Sequence, residues 1–150
     1  MKIQIDNQQK RIKIDKRKIR TEVAKLLKLL DCAEMEISVT FVDDETIQRL
    51  NKQYLAKDRP TNVISFPLQE GEFCDINPDM LGDIVISVDT ARRDADKGNI
   101  RFDEEIIFLI IHGLLHLTGY NHENTSQANA LSMKKKEKEL FRLLTRSDGI

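Results

Sequence analysis

The chain has 150 residues, enough for one domain (residues 1–150) that buries a core without disulfides. Hydrophobic residues make up 40% and charged residues 33%, which excludes a fibrous or disordered chain, and no apolar run approaches the roughly 18 residues of a membrane span. The formal net charge of -1 decides nothing about nucleic acid, but the basic residues are unevenly spread. Lys10, Arg11, Lys13, Lys16, Arg17, Lys18, Arg20, Lys25 and Lys28 crowd the beginning, and Lys134-Lys135-Lys136 with Lys138 form a second run. These runs read either as solvated helix faces or as an electrostatic footprint for phosphates.

Met1-Lys2-Ile3-Gln4-Ile5-Asp6 alternates apolar and polar residues, which predicts a strand and not a secretion signal. Ile12 and Ile14 alternate in the same way and predict a second short strand. From Asp15, the spacing of Ile19, Val23, Leu27 and Leu30 predicts a helix with one apolar stripe. Cys32 and Cys74 lie far apart in no ligand spacing; they read as buried free thiols of a reducing, cytoplasmic compartment. Ile37, Val39 and Phe41 give a strand ending at Asp43-Asp44, either of which can cap a helix burying Ile47, Leu50 and Tyr54. Pro60 ends that helix, because the residue before a proline is pushed toward extended geometry. Val63 to Phe66, closed by Pro67, and Gly82 to Ser87 are further strands, and Asp89 to Gly98 is a charged helix.

Asp103 with Glu104 and Glu105 marks the start of the most apolar helix, through Ile106, Ile107, Leu109, Ile110, Leu114 and Leu117. A last helix spans roughly Gln127 to Leu144, with Met133, Leu140, Phe141 and Leu144 inward. Strands interleaved with helices predict an α+β (α/β-like) sandwich.

All 3 histidines fall in one stretch, His112-Gly-Leu-Leu-His116-Leu-Thr-Gly119-Tyr-Asn-His122. Residues four apart stack on one helix face, so His112 and His116 present their imidazoles to a common point. Gly119 can adopt the left-handed conformation that ends a helix, and the turn lets His122 approach the same point. Two imidazoles buried in hydrocarbon without partners would be costly, which argues against a purely structural role. Three imidazoles with a fourth position open are the ligand set of a catalytic zinc, although imidazole also suits copper, nickel and iron.

The spacing H-x-x-x-H-x-x-G-x-x-H is that of metzincin proteases with one change: their general-base glutamate is replaced by Gly113. That disfavours peptide hydrolysis and favours phosphodiester chemistry, where a metal and an arginine supply the charge stabilisation. Arg59, in Asp58-Arg59-Pro60-Thr61-Asn62, is a candidate bidentate phosphate contact, or else an ordinary surface charge.

Arg59 to Pro67, Leu81 to Ser87 and His112 to His122 together resemble, in order, the three signature stretches of the YbeY family of bacterial rRNA maturation factors. The resemblance implies a mixed, mainly parallel small sheet packed with helices. It also implies one zinc ion on His112, His116 and His122, and a functional arginine at Arg59. The implied activity is that of a single-strand-specific endoribonuclease for 16S rRNA 3′-end maturation and ribosome quality control. The partners would then be single-stranded rRNA and the ribosomal small subunit, with no membrane. Two alternatives are a zinc-stabilised ribosome-binding assembly factor without turnover and a metzincin-like protease.

Asn62 and Asn121 stand where that family usually has aspartate, so no carboxylate directly precedes the third ligand and none at 62 can act as base. The general base is left open among Asp58, Glu123, a substrate hydroxyl and hydroxide on the zinc.

Overall fold

The computed structural model describes residues 2–67, 80–118 and 127–147, with side chains of the last helix described from 131 to 145. Four strands form one sheet in the order β1-β2-β4-β3: β1 Lys2–Asn7, β2 Glu36–Val42, β3 Val63–Pro67 and β4 Met80–Ser87. β1, β2 and β4 run parallel, and β3 pairs antiparallel with β4 at the edge. The mixed, mainly parallel sheet is therefore the one that the family resemblance implies.

Alternation along the strands divides the sheet into two faces. Ile37, Val39, Phe41, Ile84 and Ile86 lie on one face and join the main core with the helices α1 Lys16–Leu29, α4 Phe102–Leu117 and α5 Gln127–Ser147. Val42, Ile64 and Val85 lie on the other and close a smaller cluster with Ile47 of α2 Asp44–Leu55. Each fully buried Leu or Ile of this kind contributes about 1.5–3 kcal/mol. The remaining helix, α3 Val88–Gly98, follows β4 directly, with Ser87 as its cap.

Helix starts follow the capping logic of the sequence in two places. Asp15 accepts from the Lys18 amide and Asp43 from the Thr46 amide, each satisfying an amide that the helix itself cannot. At α4 the start shifts: Arg101 is the cap, its amide bonded to Glu104 Oε1 at 3.1 Å, and Asp103 already lies in the first turn.

Two expectations fail. The Ile12–Ile14 segment is not a strand, because the buried side chain of Gln9 organises it as a turn. Gln9 accepts from the amides of Arg11 and Ile12 and donates to the Ile12 carbonyl at 2.7 Å. Tyr54 is 58% exposed and not inward; its ring meets Phe66 edge-on with centroids 5.4 Å apart.

Gly82 is the glycine the sheet cannot replace. Its φ is 149°, and a Cβ there would lie 2.3 Å from the Phe66 carbonyl oxygen and 2.9 Å from Leu117 Cδ2. This close approach seats the end of α4 against β3 and β4.

Candidate metal centre and active site

Helix α4 is buried on most of its circumference by Ile106, Ile107, Leu109, Ile110, Ile111, Leu114, Leu115 and Leu117. His112 and His116 lie on a half-exposed strip of it. One helical turn brings their Nε2 atoms to 3.1 Å, with ring centroids 4.6 Å apart and planes inclined by 71°. A tetrahedral zinc at about 2.0–2.1 Å from each of two imidazole nitrogens holds those nitrogens roughly 3.3 Å apart. The pair fits that spacing. His122, together with Gly119, Asn121 and Glu123, lies outside the described residues.

The sequence reading missed the next contact. Helix α5 crosses α4 and places Glu137 Oε1 2.6 Å from His112 Nδ1. Glu137 is only 7% exposed. A carboxylate only accepts, so this contact favours the imidazole proton on Nδ1, with Nε2 facing His116. The signal was present in the sequence, since Glu137 lies four residues after Met133 and three before Leu140, on the inward stripe of the helix.

Gly113 occupies the position of the metzincin glutamate, and it is buried against β4. A Cβ there would meet three side-chain atoms of Ile84 at 2.9–3.1 Å. The helix packs on the sheet at this point, so a glutamate would have to displace Ile84. Beside it, Ser65 on β3 donates to the Gly113 carbonyl at 3.4 Å, aligning the edge strand with the histidine end of the helix.

The Arg59 to Pro67 stretch is spread out along β3. Its Ser65 end lies beside α4, whereas Asn62 donates to Asp94 on α3 at 3.2 Å and its carbonyl accepts from the Ser87 amide. The Arg59 carbonyl is held by the buried Asn51 at 2.9 Å. Its side chain is exposed and makes no hydrogen bond or ion pair among the described residues, so the structure does not join it to the histidine pair. Asp58 turns toward α2, accepting from Gln48 and pairing with Lys52 at 3.7 Å.

Neither basic run is fully neutralised. In the first, Arg11 pairs with Asp89, Lys18 with Asp103 and Lys25 with Glu22, while Lys10, Lys13, Lys16, Arg17, Arg20 and Lys28 are exposed and enter no ion pair among the described residues. In the second, Lys136 pairs with Glu139, but Lys134, Lys135 and Lys138 are exposed and enter no ion pair among the described residues. These three line a shallow depression of about 500 Å³ on α5 with Leu131 and Ser132.

Cys32 is partly buried, not fully as expected. Burial first, and the charge of Asp31 second, push its thiol above the ordinary range, against nucleophilic use. Cys74 lies outside the described residues.

Residues 4–145 match the family model described as Endoribonuclease YbeY. The chain belongs to the YbeY endoribonuclease family. An Endoribonuclease YbeY of Syntrophus aciditrophicus is 63% identical over 144 residues, covering 96% of this chain and 90% of that protein. One of Geobacter sulfurreducens is 49% identical, covering 96% of each. Among solved structures, a Thermotoga maritima protein determined in solution superposes with a TM-score of 0.64 at 27% identity, over 97% of this chain and 93% of that one. The chain is thus an endoribonuclease, a hydrolase acting on RNA, on an α+β fold of the YbeY kind. Among the described residues, no helix is long and apolar enough to cross a membrane.

Proposed function

We propose that this endoribonuclease depends on zinc, held by His112, His116 and His122, and that it cuts single-stranded RNA. Its setting would be maturation of the small-subunit rRNA 3′ end and ribosome quality control in the bacterial cytoplasm. The observation that carries the zinc reading is the 3.1 Å separation of two imidazole nitrogens on a half-exposed strip of an otherwise buried helix. Bound there, zinc supplies Lewis-acid stabilisation of phosphoryl charge and a water of lowered pKa.

The chain's own residues do the remaining work. His112 and His116 fix the reacting centre on a rigid core helix, and β3 beside it forms one wall of the approach. Gly113 offers no carboxylate, which leaves peptide hydrolysis without its usual base. Lys134, Lys135 and Lys138 offer an unneutralised track for phosphates on the helix that also carries Glu137. Arg59 is the candidate for a bidentate phosphate grip, reached on an exposed turn without contacts to break.

The test is cleavage of single-stranded and duplex rRNA fragments by metal-stripped and zinc-reloaded protein, with His116→Ala and Arg59→Glu alongside. Zinc should restore cleavage of the single strand to wild type and not to His116→Ala, while Arg59→Glu should hold zinc but cut slowly. Cleavage unaffected by metal removal would refute the zinc reading. RNA bound by zinc-loaded wild type without turnover would favour a ribosome-binding assembly factor.

A further inference from the structure

We infer that Glu137 is the positioning residue of the histidine site: it locks His112 as the Nδ1–H tautomer, so that Nε2 is the nitrogen offered to the metal. The inference rests on the zinc reading above for its metal-affinity part, and on geometry alone for the tautomer.

The geometry has three parts. The 2.6 Å contact between Glu137 Oε1 and His112 Nδ1 is short even for a charge-assisted bond. It joins two helices that also pack through apolar residues, Met133, Leu140 and Leu144 on one side and the α4 core residues on the other. Finally, Glu137 takes an inward position on α5, where a leucine or methionine would continue the stripe and bury no charge. An acidic residue at such a position needs a partner, and the one it meets is a histidine whose opposite nitrogen lies 3.1 Å from His116.

The chemical consequence follows from imidazole itself. A neutral ring carries one N–H and one lone pair, so fixing the proton on Nδ1 fixes the lone pair on Nε2. The carboxylate also fixes the ring's rotation and makes Nε2 more basic, and its negative charge offsets that of a divalent cation across the ring. Asn121, which directly precedes the third histidine, carries no carboxylate; Glu137 on α5 supplies an orienting carboxylate to the first histidine.

The experiment uses the full chain, metal-stripped, as wild type, Glu137→Gln and Glu137→Met. Three readouts are taken: zinc affinity by competition with a chromophoric chelator, melting of the metal-free protein, and long-range ¹⁵N–¹H spectra of the imidazoles. With 3 histidines in the chain, single substitutions assign every ring.

Metal-free wild type should show His112 protonated on Nδ1 at alkaline pH, and Glu137→Met should show a tautomer mixture. Zinc affinity should fall about 10–100-fold in Glu137→Met. It should fall less in Glu137→Gln, which keeps an acceptor for Nδ1–H but loses the charge. Metal-free melting should stay near wild type or rise, which a merely structural tether would not allow. His112 protonated on Nε2 in wild type would overturn the inference, as would a folded Glu137→Gln and Glu137→Met that both bind zinc like wild type. Wild type that takes up no zinc yet keeps the Nδ1–H tautomer would support the clamp and overturn the zinc reading.

Discussion

Two carboxylates show how differently this fold uses polar groups. Asp44, at the start of α2, accepts from Ser87 Oγ and Thr90 Oγ1 at 2.6 Å each and from Arg93 at 2.7 Å. Asp89 in return accepts from the Asp44 amide, tying the starts of α2 and α3 together. That cluster closes on itself. Glu137 instead accepts from His112, whose far nitrogen faces a second histidine on a half-exposed strip. A polar cluster whose donors and acceptors balance internally reads as structure; one that ends in two imidazole nitrogens brought together on a partly exposed strip reads as a place for a ligand.

Breaking the first cluster should therefore affect stability and leave the histidine pair untouched. Asp44→Ala strands the fully buried Ser87 hydroxyl and the Thr90 hydroxyl, and we expect a loss of roughly 2–3 kcal/mol. Burial is the largest single influence on the Asp44 carboxyl and raises its pKa. The bonds from Ser87, Thr90 and Arg93 together outweigh it and hold the pKa below its ordinary value. That contribution is present above the unfolded carboxylate pKa of about 3.9 and is lost as pH falls through the folded value. Urea melts from neutral to acid pH should show the gap between wild type and Asp44→Ala closing in acid.

Gly113→Ala sharpens the comparison from the other side, since it presses Ile84 beside the histidines. Chemical denaturation should show a loss of about 1–3 kcal/mol, with RNA cleavage retained in the folded fraction. Full stability in Gly113→Ala would mean that Ile84 yields, and that the missing metzincin glutamate is not a matter of space.

The smallest effect concerns Glu105, buried near the start of α4. Burial first, and the charge of Asp94 second, raise its carboxyl above the ordinary range. The fold thus disfavours the ionised form, so relative stability falls as pH rises through the folded value. Glu105→Gln should be slightly more stable than wild type at neutral pH, with the advantage gone below about pH 4.

Most of the fold was legible because its signals are local. Alternation gave β1 and β2, the apolar run Ile84-Val85-Ile86 gave β4, and the aspartates at 15 and 43 marked two helix starts within a residue. Gln9 defeated the Ile12–Ile14 reading because a buried amide satisfying backbone groups looks, in sequence, like any polar residue. The pairing of His112 and His116 was legible from helical spacing, which needs no tertiary knowledge. Glu137 was not read, because its role depends on how α5 crosses α4, and the lysines around it mask an inward acid as part of a charged helix. Arg59 was legible as a residue type but not as a place: nothing in sequence spacing says which end of β3 meets the histidines.

The central claim is that one zinc is shared by three histidines, and metal content of extensively dialysed protein tests it most directly. Wild type should retain about one zinc per chain, and His112→Ala, His116→Ala and His122→Ala should each retain far less, as expected for three protein ligands around one catalytic ion. Wild type without zinc, or any of the three variants retaining a full equivalent, would contradict it.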